Sequence, residues 1–348
     1  TFFIFDNGLI VHGRGAMLDS IQLFFILAAL LIFALLIKKE GQKRFLYALL
    51  GLFIGLAMAV KLNAIVLGLL PLAVVAYNIL FIPQKTFIKG SLVHLAICFF
   101  VIVSIFSAVY YFHIGRGEKL AEKSNYPLSG FYHRQIEEGH TASLLKFPRL
   151  LGEHLKYIPW YSKGVPAYNG CSPDENGSLA TMWPFGKKTI NYRWDKNEDK
   201  TRYLYLVINP VGLFVGLMAV ILGLSLIFVR AFYGPLPSIV SRRHFFLIVL
   251  FTALYFSYMV AVSTLSRVMY LYHYFLPLLF AWILFFFIFD CWGERLTTKW
   301  RWRVACVLAF LQISAFIFYS PLTYYRPLTV KEFQMRNWVS WWAMKPIE

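Results

Sequence analysis

Three cations stand at the ends of apolar runs in this chain. Arg14 precedes the first run, in FDNGLIVHGRGAMLDS. Lys61 interrupts a run of nearly forty apolar residues. Arg267 opens LSRVMYLYHYFLP, ahead of a cluster that holds Tyr272, His273 and Tyr274. Charge at membrane depth is costly, and such residues are functional candidates by default. Cations of this kind suit an anionic headgroup, above all a phosphate, which a guanidinium holds through paired hydrogen bonds. Each residue also has a plainer reading. Lys61 can be a snorkelling lysine at a helix end, and Arg14 and Arg267 can be topology markers. His273 is a general base, a phosphate donor or a packing histidine. Asp19 either pairs with Arg14 or favours the start of the first span. Trp183, in ATMWPFGKKTINYRW, completes the set.

Composition says what must position these residues. Of 348 residues, 59% are hydrophobic and only 15% charged, and the mean hydropathy is +0.60. A soluble domain is nearer half apolar and a quarter charged. The net charge of +17 invites a nucleic-acid partner, but a basic face on a folded module is missing, so none is expected. Cys98, Cys171, Cys291 and Cys306 are scattered without metal-ligand or disulfide-framework spacing, and no metal site is expected. There is no internal repeat of the inverted transporter kind. The chain starts at Thr1 without a signal peptide, and an amino-terminal truncation is expected.

A span needs about 20 largely apolar residues. Eight candidates occur, at 20–37, 45–60, 62–82, 92–112, 206–229, 245–262, 270–290 and 304–320. The second and third form one run that Lys61 and Asn63 divide; two short crossings fit better than one long helix. Charge sorting supports the division. Lys38, Lys39, Lys43 and Arg44 form one basic loop, and Lys85 and Lys89 a second. Arg230, Arg242 and Arg243 form the third; Arg295, Lys299, Arg301 and Arg303 the fourth. Only Glu40 and Glu294 oppose these 13 cations. Eight crossings place all four loops on the cytoplasmic face. The division is then 1–112, an external motif loop with four spans; 113–205, an external loop; 206–320, four more spans; and 321–348, an external tail. Within the loop, Leu144, Leu145, Leu151, Leu155 and Ile158 have helical spacing over 143–158, which predicts a juxtamembrane helix in the interface. In the tail, Thr329 and Glu332 make a capping-box pattern ahead of Phe333, Trp338, Trp341 and Trp342, with Val330 between them, which predicts an interfacial helix with an aromatic anchor. Asn176-Gly177-Ser178 is a sequon on the external side.

Five stretches in order resemble the protein O-mannosyltransferases. FDNGLIVHGRGAMLDSIQLFF is similar to their (E/D)N-x-x-(I/V)-x-x-(S)R-x-x-LLD segment, and GLFIGLAMAVKLNAIVLG to a glycine-rich segment ending in a Lys-Trp pair. MWPFGKKTINYRW resembles WP-x-x-x-R-x-x-x-Y-W, SRVMYLYHYFLP resembles R-x-x-F-x-YHY-x-P, and YSPLTY resembles SP-x-x-YG. The resemblance implies the all-α, polytopic GT-C fold, with these eight spans as the fourth to eleventh of eleven. It implies an inverting transfer of a sugar, mannose in this family, from a polyprenyl-phosphate donor to a protein Ser or Thr hydroxyl. Arg14, Lys61, Arg267, His273 and Tyr274 would then serve the donor phosphate, with Asp19, Trp183 and Tyr272 in support.

The family's catalytic carboxylate lies in an Asp-Glu pair after its first span. This chain begins beyond that region, so the catalytic residue is unknown within its numbering. No cofactor is implied beyond the donor. Gly13 replaces the family's serine and Leu62 its tryptophan, and one extra residue separates Tyr274 from Pro277. The loop 113–205 is too short for the β-trefoil domain of the eukaryotic members. These departures point to a bacterial-type relative in the cytoplasmic membrane with its site facing the periplasm. They leave a lipid or cell-wall glycan acceptor open, and a transporter or flippase is the rival class. Oligomeric state is not legible.

Overall fold

The computed structural model describes residues 1–347 apart from 16, 39–43, 83–84, 117–128, 173–174, 198, 235–239 and 294–295; the side chains of 85–89, 158–159 and 161–163 are also outside it. Of the sorting charges, Lys39, Lys43, Glu40, Glu294 and Arg295 therefore lie outside the described residues, as do the side chains of Lys85, Lys89 and Ile158. The chain divides into two compact units, one of residues 21–167 and one of residues 1–20 with 168–348.

The chain opens with α1 (Asn7–Arg14) and α2 (Leu18–Lys38), the second running on into the unit of residues 21–167. That unit continues with α3 (Arg44–Val60), a 3₁₀ stretch Leu62–Gly68, α4 (Leu69–Phe81), α5 (Lys85–Gly115), α6 (Gly130–Glu137) and α7 (Phe147–Gly164). The break expected at Lys61 is there. Lys61 is extended, with φ −149° and ψ 130°. Gln22, buried on α2, shares its amide N–H groups among the carbonyls of Ala57 and Lys61 and the Asn63 side chain at 2.7–3.2 Å. A break in an apolar helix strands backbone acceptors, and a buried amide is a cheap way to satisfy them. The helix expected over 143–158 appears as α7, starting four residues later than the apolar pattern suggests and with Pro148 in its first turn, where a missing N–H costs nothing.

The other unit holds α1, then, from residue 168 on, a 3₁₀ turn Ala180–Phe185, strands β1 (Ile190–Asn197) and β2 (Lys200–Leu206), α8 (Pro210–Phe232), α9 (Arg242–Ser263), a 3₁₀ turn Leu271–Tyr274, α10 (Phe275–Gly293), α11 (Thr298–Thr323), β3 (Pro327–Leu328) and α12 (Val330–Gln334). The three strands form one antiparallel sheet in the order β1-β2-β3, a small addition to an all-α reading. Among the described residues, seven helical segments are long and apolar enough to cross a membrane; α3, at 17 residues, is a shorter eighth. The eight expected spans each coincide with one of these segments.

Two expectations about the tail separate. The capping box is formed: the Thr329 hydroxyl accepts from the Glu332 N–H, and the Glu332 carboxylate accepts from the Thr329 N–H at 2.8 Å. The aromatics expected as an interfacial anchor divide. Phe333 and Trp342 are buried, in a core with Tyr203, Tyr205, Tyr319 and Leu322, while Trp338 and Trp341 remain exposed. Hydropathy alone does not separate an aromatic that anchors from one that packs.

Candidate functional site

The site in the unit of residues 1–20 and 168–348 is built on α1. Asp6 caps this helix, accepting from the Leu9 N–H at 2.8 Å, and its other oxygen accepts from the Asn209 N–H at 2.9 Å. Asn209 in turn caps α8 and donates to the carbonyls of Phe5 and Gln312. Asn7 donates to the Thr323 hydroxyl at 2.8 Å and to the Phe316 carbonyl. Asp6, Asn7, Asn209 and Thr323 are all buried. Burial pushes the Asp6 carboxyl up to about 6, against the pull of the Leu9, Asn209 and Gly8 N–H groups. These contacts clamp the start of α1 onto α8 and α11 and fix the direction in which its last turn points.

That last turn carries His12 and Arg14. His12 is buried, with Nε2 2.9 Å from an Asp19 carboxylate oxygen and Nδ1 2.7 Å from the Tyr192 hydroxyl. Asp19 thus engages His12, and Arg14 turns elsewhere: it donates to the Thr323 carbonyl at 3.1 Å and lies 5.4 Å over the Tyr324 ring. Asp19 also sits in the first turn of α2, where an acidic residue is favoured.

The His12 ring is one member of a column. It stacks on Tyr272 at 4.6 Å and 17°; Tyr272 stacks on His273 at 4.3 Å; and His273 faces Trp183 at 6.0 Å and 15°. Tyr192 adds a further ring beyond His12 at 6.2 Å. The column brings together four residues singled out from sequence (Asp19 at its edge, then Tyr272, His273 and Trp183). Trp183 is fully buried and donates to the Ser178 hydroxyl at 3.0 Å. Ser178 also donates to the Lys187 carbonyl, so the hydroxyl of the sequon is buried structure. His273 has Nδ1 3.1 Å from the Tyr270 carbonyl. A carbonyl only accepts, so Nδ1 carries the proton and Nε2 of the neutral ring is an acceptor. Tyr274 faces away from the column: it is fully buried, with its hydroxyl 3.2 Å from that of Tyr255.

Arg267 stands in the segment between α9 and the 3₁₀ turn Leu271–Tyr274. It lines a cavity of about 350 Å³ with Tyr168, Ser178, Thr181, Ser263 and Ser266. Its Nε is buried and has no hydrogen-bond partner among the described residues. A buried guanidinium nitrogen without an acceptor is costly unless something else supplies one. Lys61 belongs to the other unit, where it marks the helix break. Sequence reasoning missed His12 and Tyr192. His12 lies inside FDNGLIVHGRGAMLDS, and Tyr192 lies inside MWPFGKKTINYRW at the tyrosine of the pattern it resembles, but nothing local shows that they meet each other or that His12 meets Asp19 seven residues on.

Comparison with known families and structures bears on this arrangement. A family model described as the C-terminal four TMM region of protein-O-mannosyltransferase matches residues 163–342. A second, described as dolichyl-phosphate-mannose-protein mannosyltransferase, matches residues 1–117. The solved S. cerevisiae protein O-mannosyltransferase Pmt1-Pmt2 complex bound to the sugar donor has a similar fold. Its TM-score is 0.75 at 15% identity, over 98% of this chain and 75% of that one. Among curated proteins no sequence matches.

Proposed function

The chain belongs to the protein O-mannosyltransferase family of GT-C membrane glycosyltransferases, and from that premise we propose that it moves mannose from a polyprenyl-phosphate donor to a Ser or Thr hydroxyl of a protein, inverting the anomeric centre. The observation that carries the donor half is Arg267, whose buried Nε faces no acceptor among the described residues, beside a cavity lined with hydroxyls. Breaking the sugar–phosphate bond leaves polyprenyl phosphate, and the charge that develops on it needs fixed cations. A guanidinium can meet two phosphate oxygens at once, where an ammonium acts as a point charge. The hydroxyls of Ser263, Ser266 and Thr181 suit the polar parts of the same ligand. The chain acts as an integral membrane protein of bacterial type, with this chemistry on the external side. The clustering of basic residues in four short loops supports that orientation. The base that takes the acceptor proton lies outside this set of residues.

The experiment is transfer from polyprenyl-phosphate mannose to a Ser/Thr peptide by the full-length protein in detergent or vesicles. Arg267→Ala is expected to lower turnover by about 100-fold, the size of a lost charge-assisted contact in a transition state, with an unchanged melting profile. Arg267→Lys should recover only part of it. Lys61→Ala is likewise expected to abolish transfer without loss of folded protein. Full turnover in Arg267→Ala would remove this donor site, and transfer to a lipid or glycan but not to the peptide would move the protein to another acceptor class.

A further inference from the structure

We propose that Tyr192 is a binding point for a substrate hydroxyl, held with its oxygen as a hydrogen-bond acceptor by His12 and Asp19; this rests on the transfer reading above. β1 and β2 pair in register except for a shift between Asn191 and Arg193, which leaves Tyr192 without a partner opposite it. A bulge of this kind breaks the in–out alternation and re-aims a side chain. Here it brings the Tyr192 hydroxyl to 2.7 Å from His12 Nδ1.

Proton placement follows from the chemistry of the partners. The Asp19 carboxylate only accepts, so a ring with one proton carries it on His12 Nε2, 2.9 Å from Asp19 Oδ2. His12 Nδ1 then carries a lone pair, and the Tyr192 O–H must donate to it. A tyrosine on a surface turns its hydroxyl to suit any neighbour. Tyr192 cannot, because its single proton is committed, and its oxygen offers only lone pairs outward. The ring holding it is rigid: His12 is buried, stacked on Tyr272 and met edge-on by Phe275 at 5.6 Å. The Tyr192 side chain is half-buried rather than closed over. Burial also raises it above the ordinary tyrosine range, with Tyr272 and Asp19 adding to the effect, so it stays a neutral phenol. An oriented neutral oxygen of this kind rejects a phosphate oxygen and accepts from a hydroxyl. A sugar–phosphate donor and a Ser/Thr acceptor both bring hydroxyls. In either case Tyr192 is the contact, and His12 and Asp19 are positioning residues that act through it.

The test uses full-length protein with polyprenyl-phosphate mannose, its monodeoxy-mannose analogues and a Ser/Thr peptide. Tyr192→Phe removes the oxygen and keeps the ring. The expected result is a loss of about 10-fold in kcat/KM with the intact donor, the size of one hydrogen bond. If the ligand is a sugar hydroxyl, one monodeoxy donor is used equally well by wild type and variant. If it is the acceptor hydroxyl, the loss is the same for every donor and appears in the peptide KM. Asp19→Asn should give a similar loss, and the ¹⁵N spectrum of His12 should move from the Nε2–H tautomer in the wild type to Nδ1–H in the variant, which a packing role would not cause. Unchanged kcat/KM in Tyr192→Phe overturns the inference, as does a fall in kcat alone that is equal for all donors with both KM values kept. So does a wild-type His12 with a proton on Nδ1, as the other tautomer or as the imidazolium. Wild-type protein that transfers no mannose at all would instead overturn the function from which the inference starts.

Discussion

Two helix contacts, α3 with α5 in the unit of residues 21–167 and α1 with α8 and α11 in the unit of residues 1–20 with 168–348, are held together by different means. In the first, α3 and α5 meet over bare glycines. A Cβ at Gly51 would stand 2.5 Å from the Cys98 carbonyl oxygen, and one at Gly55 3.0 Å from that of Ile102. In the second, α1 meets α8 and α11 through side-chain amides and a carboxylate, Asp6, Asn7, Asn209 and Gln312, each bonded to backbone far away in sequence. Both solutions suit an apolar setting, where burial gains little between helices and contact must come from close packing or satisfied polar groups. They differ in what they tolerate. Close packing fails on any added volume. A polar network survives conservative change but responds to protons.

The largest effect should fall on the glycine contact. Gly51→Val puts branched carbon where backbone already is, and neither helix can yield locally. A loss of more than about 3 kcal/mol is expected, at the high end for overpacking, seen as a collapse in the yield of monodisperse protein and in its melting temperature. Gly152, on α7 in the same unit, has nothing within 4 Å of an added Cβ. Gly152→Ala should raise stability by roughly 0.5 kcal/mol through helix propensity and chain entropy. If Gly51→Val melts like the wild type, the contrast between the units is lost.

Second in size is the proton response of the other unit. The Asp6 carboxyl titrates near 6 in the folded protein, against 3.8 in its reference state, because burial outweighs three N–H contacts. A raised folded value means that the protonated form is the one folding favours. Its contribution is therefore whole below about pH 4 and lost as pH rises through 6, with an amplitude of at most about 3 kcal/mol. Melting followed from pH 4 to 7 should show this fall in the wild type and lose that component in Asp6→Asn. The variant should also start from a lower level, since an amide cannot accept from both the Leu9 and Asn209 N–H groups. A pH profile of the same slope in both proteins would detach Asp6 from the proton response.

The same contrast explains which features are legible in the sequence. Glycines facing a neighbouring helix lie in a run whose hydropathy is plain, and the break at Lys61 shows because two polar residues interrupt that run. The Thr329–Glu332 capping box is local and is legible for the same reason. The site is legible only in part. Trp183, Tyr272 and His273 announce themselves in aromatic clusters, but the column they form needs His12, supplied from α1, and Tyr192, supplied by a bulge. That bulge lies in the β1–β2 hairpin, and the third strand of its sheet, β3, begins at Pro327, over 120 residues after β2. Polar spacing along the chain carries no trace of the pairing. From sequence, Asp19 is a partner for Arg14 or a cap; in the structure its partner His12 is seven residues earlier, on the far side of the break between the end of α1 at Arg14 and the start of α2 at Leu18. No helical spacing connects them.

The smallest effect tests whether the tail matters to the site at all. Thr329→Ala removes one side of the capping box and should cost about 1 kcal/mol in melting free energy. The tail it starts is tied back to the site's scaffold: Trp341 and Trp342 both donate to the Phe185 carbonyl, and the Thr189 hydroxyl donates to that of Trp342. Phe185 ends the 3₁₀ turn that carries Trp183. If α12 only covers the aromatic core around Phe333, mannose transfer at a temperature well below melting should be unchanged in Thr329→Ala. If transfer falls further than stability does, the tail holds Trp183 in the column, and the polar unit extends its control of the site to a segment that hydropathy assigns to the membrane surface.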